Sequence, residues 1–212
     1  GSKGIGMTGR SNVTIKNIKV TKFGYGIYLS HSSNNTLSWN NIINNDDGIG
    51  LYVSSNNTIY ANNITANNKW QGIWLYDSSN NCISGNNITN NGRGVSCANS
   101  PNNIVSGNNI AANSPNEGIF LIYSSNNNIS RNNIIANNAS GICLVWSSNN
   151  IIYHNNFNNT EQVWSDSVNI WDYSDEGNYW SDYTGQDTDG DGIGDTPYVI
   201  DVNNQDNHPL IH

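Results

Sequence analysis

Apolar residues recur along this chain at a fixed spacing, and a glycine opens each unit. The glycines lie 22 to 24 residues apart: Gly4, Gly26, Gly48, Gly72, Gly94, Gly118 and Gly141. Eleven positions later come Ile15, Leu37, Ile59, Ile83, Val105, Ile129 and Ile152. Five positions further on come Val20, Ile42, Ile64, Ile88, Ile110, Ile134 and Phe157. All length variation falls between this last column and the next glycine, so the pattern indicates a structural repeat.

A repeat of this length, with short β-branched runs between Asn, Ser and Gly turns, predicts one coil of a parallel β-helix. Leucine-rich repeats share the period, but their Leu-x-x-Leu-x-Leu spacing is absent. Each coil stacks about 4.8 Å above the last, so every strand pairs in parallel with its neighbours. The prediction is an all-β, right-handed parallel β-helix of about seven coils over residues 3–160. Seven coils make a rod of roughly 30 Å.

The first strand of each unit alternates, as in Gly72-Ile73-Trp74-Leu75-Tyr76. This period of two predicts two inward columns. They are Ile5, Ile27, Ile49, Ile73, Val95, Ile119 and Ile142, and Met7, Leu29, Leu51, Leu75, Cys97, Leu121 and Leu144. Asn pairs form further columns, beginning at Asn34-Asn35 and Asn40-Asn41. Because an amide carries both donor and acceptor, these columns predict hydrogen-bonded ladders between coils.

The outward positions of the first strand form a second pattern, which is aromatic. The candidate ligand-binding residues on this face are Tyr28, Tyr52, Trp70, Trp74, Tyr76 and Phe120. The extra residues of the two longest units, near Trp70 and Glu117, precede the same strand. An apolar patch on a solvent face marks a binding surface. Extended polysaccharide is one expected ligand. The alternatives are packing under another domain or a partner chain, such as a neighbouring envelope protein, and surface aromatic residues without a ligand.

Catalytic groups are harder to find. Glycoside hydrolysis needs two carboxylates about 5 to 10 Å apart. Asp47 and Glu117 share a column but are three coils apart, roughly 14 Å. A lyase would need a base beside such groups, and Lys69 and Arg93 are the nearest candidates. No catalytic residue is therefore assigned.

Charge divides the chain into two parts. Residues 1–160 contain all eight Lys and Arg and four acids, whereas residues 161–212 contain twelve acids and no Lys or Arg. This second part is rich in Trp and Tyr, and we predict that it forms an irregular cap over the last coil. The residues expected to cover the core there are Trp164, Trp171, Trp180, Tyr173, Tyr179 and Tyr183. Neither part has the basic patch that nucleic acid requires.

The cap contains the sequence Asp187-Thr-Asp189-Gly-Asp191-Gly-Ile193-Gly-Asp195. Carboxylates at alternate positions, a glycine at position 6 and a backbone carbonyl at position 7 are typical of a calcium loop. The predicted ligands are Asp187, Asp189, Asp191, Asp195 and the carbonyl of Ile193. The usual Glu at position 12 is replaced by Tyr198, so Asp182, Asp201 or Asp206 are candidates to complete the site.

Two negative expectations concern the cysteines and the membrane. Cys82, Cys97 and Cys143 have no metal-ligand spacing and fall in different columns, so we predict free thiols. No apolar run approaches the roughly 18 residues that span a bilayer. No transmembrane segment is therefore expected in this chain.

The repeats (Ser-Ser-Asn-Asn-x-Ile, Asn-Asn-Ile, Gly-Ile-x-Leu) and the segment Gly177-Asn-Tyr-Trp-Ser-Asp-Tyr-x-Gly185 resemble a known family. They are similar to the NosD-like β-helix repeats of archaeal secreted and cell-surface proteins. The resemblance implies a pectate-lyase-like solenoid and an extracytoplasmic location. It also implies copper handling. Copper sites use His, Cys and Met ligands, however, and this chain has four scattered histidines and one methionine, so the sequence itself does not support copper binding.

The preferred hypothesis is a non-catalytic surface module, stabilised by calcium, that binds polysaccharide or serves as a structural element of the envelope. A polysaccharide lyase or hydrolase is the alternative, and a copper-handling protein is a lesser one. Because one fold hosts many activities, the choice depends on the site.

Overall fold

The computed structural model describes residues 1–211, in which the strands form three parallel sheets and one hairpin. Strands are numbered in chain order. The first sheet contains β1 (Lys3–Thr8), β4 (Tyr25–Ser30), β7 (Asp47–Tyr52), β10 (Gln71–Tyr76), β13 (Arg93–Ala98), β16 (Ile119–Ile122), β19 (Ile142–Val145) and β22 (Val163–Ser165). The second contains β2 (Thr14–Lys16), β5 (Thr36–Ser38), β8 (Thr58–Tyr60), β11 (Cys82–Ser84), β14 (Ile104–Ser106), β17 (Asn128–Ser130) and β20 (Ile151–Tyr153). The third contains β3 (Lys19–Val20), β6 (Asn41–Ile43), β9 (Asn63–Thr65), β12 (Asn87–Thr89), β15 (Asn109–Ala111), β18 (Asn133–Ile135), β21 (Asn156–Asn158) and β23 (Tyr179–Trp180). The hairpin is β24 (Tyr198–Asp201) and β25 (Asn204–Asp206).

The register between coils is the one that the repeat predicts. Ile49 pairs with Ile27 on one side and Ile73 on the other, and each strand is parallel to its neighbours. The inward columns of all three sheets form one buried core along the axis. The all-β parallel solenoid is therefore confirmed, and its core is a stack of identical layers. Each layer alone is too small to exclude water, so neighbouring coils stabilise one another.

The solenoid has about eight coils, one more than the repeat predicted. Val163–Ser165 pairs with the seventh strand of the first sheet, and Tyr179–Trp180 pairs with β21 of the third. Ile170 bridges to Ile151 between them. This coil was assigned to the cap because it lacks the glycine and Ile/Leu spacing of the others. Trp180 fills its core position instead, stacked 4.5 Å from Phe157.

The remaining residues close the C-terminal end of the core. Trp171 and Trp180 are buried, and the ring of Tyr198 in the hairpin stacks 4.3 Å above Trp180. The covering role predicted for these two tryptophans is confirmed. For Trp164 and Tyr173 it is wrong, because both side chains are exposed on the outside of the solenoid.

Buried hydrogen-bonded ladders line the corners, as predicted, but only one Asn of each predicted pair points inward. The three Asn ladders contain Asn35, Asn57, Asn81, Asn103, Asn127, Asn150 and Asn169; Asn40, Asn62, Asn86, Asn108, Asn132, Asn155 and Asn178; and Asn45, Asn67, Asn91, Asn113, Asn137 and Asn159. A serine ladder contains Ser32, Ser54, Ser78, Ser100, Ser124 and Ser147. The third Asn ladder and the serine ladder were not recognised from the sequence. Corner Asn residues such as Asn56 have a left-handed backbone (φ 59°), which Asn tolerates.

The cap hairpin ends two of these ladders. The Asn204 carbonyl accepts a hydrogen bond from the Asn169 amide at 2.9 Å, and the Asp206 carboxylate accepts one from the Asn178 amide at 2.7 Å. Asp206 also accepts from the indole of Trp180 at 2.8 Å. A carboxylate has only acceptors, so it ends a ladder without leaving a buried N–H unpaired.

The expectation about the cysteines agrees with the structure. Cys82, Cys97 and Cys143 are free thiols, and burial raises the pKa of both Cys97 and Cys143 to about 12. Such thiols are protonated and unreactive at neutral pH. Within residues 1–211, no helix has the length and hydropathy to cross a membrane.

Candidate functional site

The outward side of the first sheet, called here the aromatic face, presents five of the six predicted ligand-binding residues. Tyr52 and Tyr76 stack at 5.6 Å with 14° between their planes, and Trp74 lies 5.9 Å from Tyr76. Tyr28 and Phe120 occupy the same column as Trp74, two coils away on either side. The hydrogen bonds of the sheet fix the backbone positions of these residues.

Trp70 lies apart from these five residues. It occupies the corner before β10, where its backbone amide bonds to the Asp46 carbonyl, and it is 53% exposed. Beside this corner is a hollow of about 590 Å³ lined by polar residues that include Lys22, Asp46 and Lys69. The insertion at Trp70 therefore lies beside this polar hollow, directly before β10.

Other aromatic residues of the face were missed or given less weight from sequence. Tyr25 lies 5.0 Å from Tyr28, and Trp164 continues the column of Trp74 into the eighth coil. Tyr123 and Trp146 stack at 4.8 Å along one edge. Trp164 was missed because the repeat no longer assigns a register after Phe157.

Most of the ionisable groups near this face are paired with one another. Arg93 binds Glu117 at 2.6 Å, and its guanidinium lies 4.2 Å from the centre of the Phe120 ring. Lys69 binds Asp46 at 3.2 Å. Of the four residues expected to cluster if the protein were a lyase (Asp47, Lys69, Arg93 and Glu117), Arg93 and Glu117 pair with each other. Lys69 pairs with Asp46 instead, and the Asp47 carboxyl group lies outside both pairs. The parallel register keeps Asp47 and Glu117 three coils apart, about 14 Å, which is too far for a hydrolase pair.

That further carboxyl group, Asp47, is the most perturbed acid on the face. Burial raises its pKa to about 6, although a 3.0 Å hydrogen bond from the Gln71 amide lowers it. The same burial raises the pKa of neighbouring Tyr25, and the negative charge of Asp47 adds to that effect. A carboxyl group of this kind exchanges a proton near neutral pH.

The predicted calcium loop is folded around the carboxylate of Asp187. Its two oxygens accept hydrogen bonds from the amides of Gly190 at 2.7 Å and Gly192 at 3.0 Å, and these bonds lower the pKa of Asp187. Asp187, Asp189 and Asp191 offer oxygens that all lie within 4.8 Å of one another. Three convergent carboxylates in a flexible loop suit a hard cation.

The other candidate ligands of the loop have different partners. Asp195 accepts hydrogen bonds from the amide and hydroxyl of Thr188, at 3.0 and 2.7 Å. Ile193 bridges to Leu210, which attaches the loop to the chain end. Asp182 accepts from the Tyr198 hydroxyl at 3.1 Å, and Asp206 is buried in the ladder. Only the first three acids therefore converge.

The three described histidines and the methionine do not converge. His154 pairs with Glu176, and His208 lies 3.3 Å from Asp172. His31 contacts Tyr52, and Met7 is buried in the core. His212 lies outside the described residues. Within residues 1–211, no group of three His, Cys, Asp or Glu side chains other than Asp187, Asp189 and Asp191 has ligand atoms this close.

A family model described as a right-handed β-helix region matches residues 3–175. The chain belongs to this family. Among solved structures, a double mutant of the periplasmic alginate epimerase AlgG is similar, with 27% identity and a TM-score of 0.62 over 76% of this chain and 40% of that one. The unmutated AlgG has 20% identity and a TM-score of 0.59, over 79% and 47%. The chain therefore spans less than half of AlgG. A search of curated proteins finds no match.

Proposed function

We propose that this chain is a non-catalytic extracytoplasmic module that binds polysaccharide on the aromatic face. The observation that carries the proposal is the contiguous patch of Tyr52, Trp74 and Tyr76 on a rigid sheet. The three rings are half-buried on the solvent side of the sheet. Apolar patches on a protein surface mark binding sites, and ring faces suit the C–H faces of sugars. Because the sheet is already ordered, binding costs little conformational entropy.

The comparisons support the ligand class and the location. AlgG is described as a periplasmic enzyme acting on alginate, which is a polysaccharide. The resemblance of the repeats to NosD-like archaeal surface proteins supports the same location. A neighbouring envelope protein is the other partner that such a patch would fit.

An enzymatic role is the second candidate, and Asp47 is the observation that favours it. A buried carboxyl group with a pKa of about 6 is suited to proton transfer, as a lyase or hydrolase requires. Against this, Arg93 and Lys69 are engaged in ion pairs, and Glu117, the other carboxylate of the Asp47 column, lies three coils away. Incubation with polysaccharides tests this candidate: product formation that Asp47→Asn abolishes would replace the binding proposal.

Removing the central rings tests the binding proposal. We expect Trp74→Ala with Tyr76→Ala to abolish retention in gels containing the polysaccharide, because the ring contacts contribute most of the binding free energy. The melting temperature should change little, since both side chains lie outside the core.

The matched control for this pair is Trp39→Ala. Trp39 is 59% exposed and contacts Tyr60 in another sheet, away from the aromatic face. Retention should be the same as for the unmodified chain. Equal retention of the Trp74/Tyr76 variant and this control would contradict the proposal.

We also propose that calcium binds Asp187, Asp189 and Asp191 and stabilises the cap. A ligand at about 100 times its dissociation constant raises the free energy of unfolding by about 2.7 kcal/mol. A thermal melt should therefore show a higher midpoint with calcium than with EGTA. Asp189→Asn with Asp191→Asn should remove the difference.

Copper(II) serves as the comparison ion in the same melts. Hard carboxylate oxygens favour calcium, so copper should not reproduce the shift. Equal midpoints with calcium and EGTA would make the loop an acidic turn. A shift with copper alone would support the metal-handling function instead.

A further inference from the structure

The central column of the aromatic face alternates between large rings and small residues. Its aromatic members, on the even-numbered coils, are Tyr28, Trp74, Phe120 and Trp164. Its small members, on the odd-numbered coils, are Gly6, Gly50, Ser96 and Cys143. The alternation continues without a break over all eight coils. The column therefore repeats every two coils, whereas the spacing of 22 to 24 residues between glycines corresponds to one coil.

The small residues let the rings of adjacent coils approach the sheet. A Cβ atom on Gly50 would lie 3.1 Å from Cδ2 of Tyr28 and 3.4 Å from Cε3 of Trp74, so both rings reach towards this position. Ser96 and Cys143 are buried between larger neighbours. Lys3 and Arg93 lie 4.1 and 4.2 Å from the ring centres of Tyr28 and Phe120. The rings are thus held in set orientations before any ligand binds.

Two coils span about 9 to 10 Å along the axis. An extended β-1,4-linked polysaccharide advances by about the same distance over two sugars. In such a chain each sugar is turned over relative to the one before it, so every second ring presents the same face. The spacing of the aromatic column therefore matches one ring for every second sugar.

We propose that the aromatic face binds an extended, uncharged β-1,4-linked polysaccharide parallel to the solenoid axis, with alternate sugars stacked on Tyr28, Trp74, Phe120 and Trp164. This inference rests on the proposed function and specifies its ligand. A helical α-linked chain does not keep this spacing, so only its first contact would be in register. Specificity then arises from the periodicity of the sheet and needs no pocket.

The charges of the face favour an uncharged chain. Arg93 is neutralised by Glu117 at 2.6 Å, and Lys69 is neutralised by Asp46 at 3.2 Å. A polyuronate has a carboxylate on every sugar, and it would need to compete with these acids for Arg93 and Lys69. Lys3, beside the Tyr28 ring at one end of the column, is a further cation near the face. A neutral chain requires no change in either ion pair, because hydroxyl groups can bond to them as they stand.

A series of soluble β-1,4-glucan oligosaccharides of increasing length tests the spacing, measured by calorimetry on the intact chain. Each new ring contact should strengthen binding by up to about tenfold. The increase should come at every second added sugar and stop at about seven sugars, the span of four rings at one sugar per coil. A smooth increase with each sugar would overturn the proposed register.

Variants test which residues produce the effect. Phe120→Ala should remove one step of the series and leave shorter oligosaccharides unaffected, because they can bind at the other rings. Trp39→Ala, which removes an exposed ring at the corner after β5 of the second sheet, should leave every step unchanged. Loss of a step in the Trp39 variant would contradict the assignment to the central column.

Other ligands separate failure of this inference from failure of the proposed function. Equal affinity for α-1,4-glucan oligosaccharides, or tighter binding of oligouronates, would overturn the extended, uncharged chain but leave polysaccharide binding in place. No binding of any polysaccharide would overturn both proposals. Preference for the β-1,4-linked neutral chain supports both.

Discussion

Replacing Gly94 by Ala is expected to lower the free energy of unfolding by about 3 kcal/mol, a large part of the stability of a typical domain. A Cβ atom at this position would lie 2.3 Å from the Gly118 carbonyl oxygen and 2.6 Å from Cγ2 of Ile110. The carbonyl belongs to the backbone of the next coil, whose distance is set by the sheet. No flexible side chain can move to relieve the contact, so the two coils must separate locally.

Chemical denaturation measures this effect, and Gly6→Ala is the control. Gly6 lies on the outward face, where a Cβ atom would meet only the flexible Lys3 side chain at 3.0 Å. We expect the stability of this variant to change by less than about 1 kcal/mol. If both variants were equally stable, the glycine column would not be required by contact between coils.

Replacing Asn86 by Ala is expected to cost about 3 to 5 kcal/mol, since it removes several buried hydrogen bonds. The Asn86 carbonyl oxygen accepts from the backbone and side-chain amides of Asn62, at 2.9 and 3.0 Å. Its amide donates to the Ile59 carbonyl at 2.9 Å and to Asn108 at 3.0 Å. After truncation, these buried groups on both adjacent coils lose a partner.

The next residue along the chain provides the control. Asn87 points outward, and its side chain bonds only to its exposed ladder neighbours Asn63 and Asn109, both at 2.8 Å. Asn87→Ala should cost less than about 1 kcal/mol because water replaces these bonds. Thermal melts of the two variants measure the difference, and similar midpoints would show that the buried ladder contributes no more than the exposed one.

The aromatic face shows how much of a candidate binding site the residue pattern of the first strand predicts by itself. Tyr52, Trp74 and Tyr76 were placed together from the alternation of the first strand, because parallel register makes equal positions of successive units neighbours. The position of Trp164 on this face could not be predicted from the sequence, since its unit lacks the glycine that opens the other units. Its register is known from its pairing with Cys143 in the structure. Without Trp164 and the eighth coil, the regular spacing of the central column is incomplete.

The acidic loop shows a different limit. The spacing of its Asp residues predicted convergence, and three of them do converge because alternate residues of a tight loop point to one side. Asp195 fits the same spacing but bonds to Thr188 instead. The hydrogen bonds from Thr188 hold the Asp195 carboxylate away from the other three acids. The spacing of the Asp residues does not predict these bonds.

The sequence by itself determined the solenoid, its inward columns and the aromatic face, because each depends on a local period repeated seven times. The tertiary structure decided what lies beyond the repeat: the eighth coil, the burial of Trp171 and Trp180, and the Asn204 and Asp206 ends of two ladders. It also decided which Asn of each pair is buried. These features depend on contacts between residues far apart in the chain, where neither spacing nor composition repeats. Periodic interactions leave a periodic trace in a sequence, whereas contacts made only once do not.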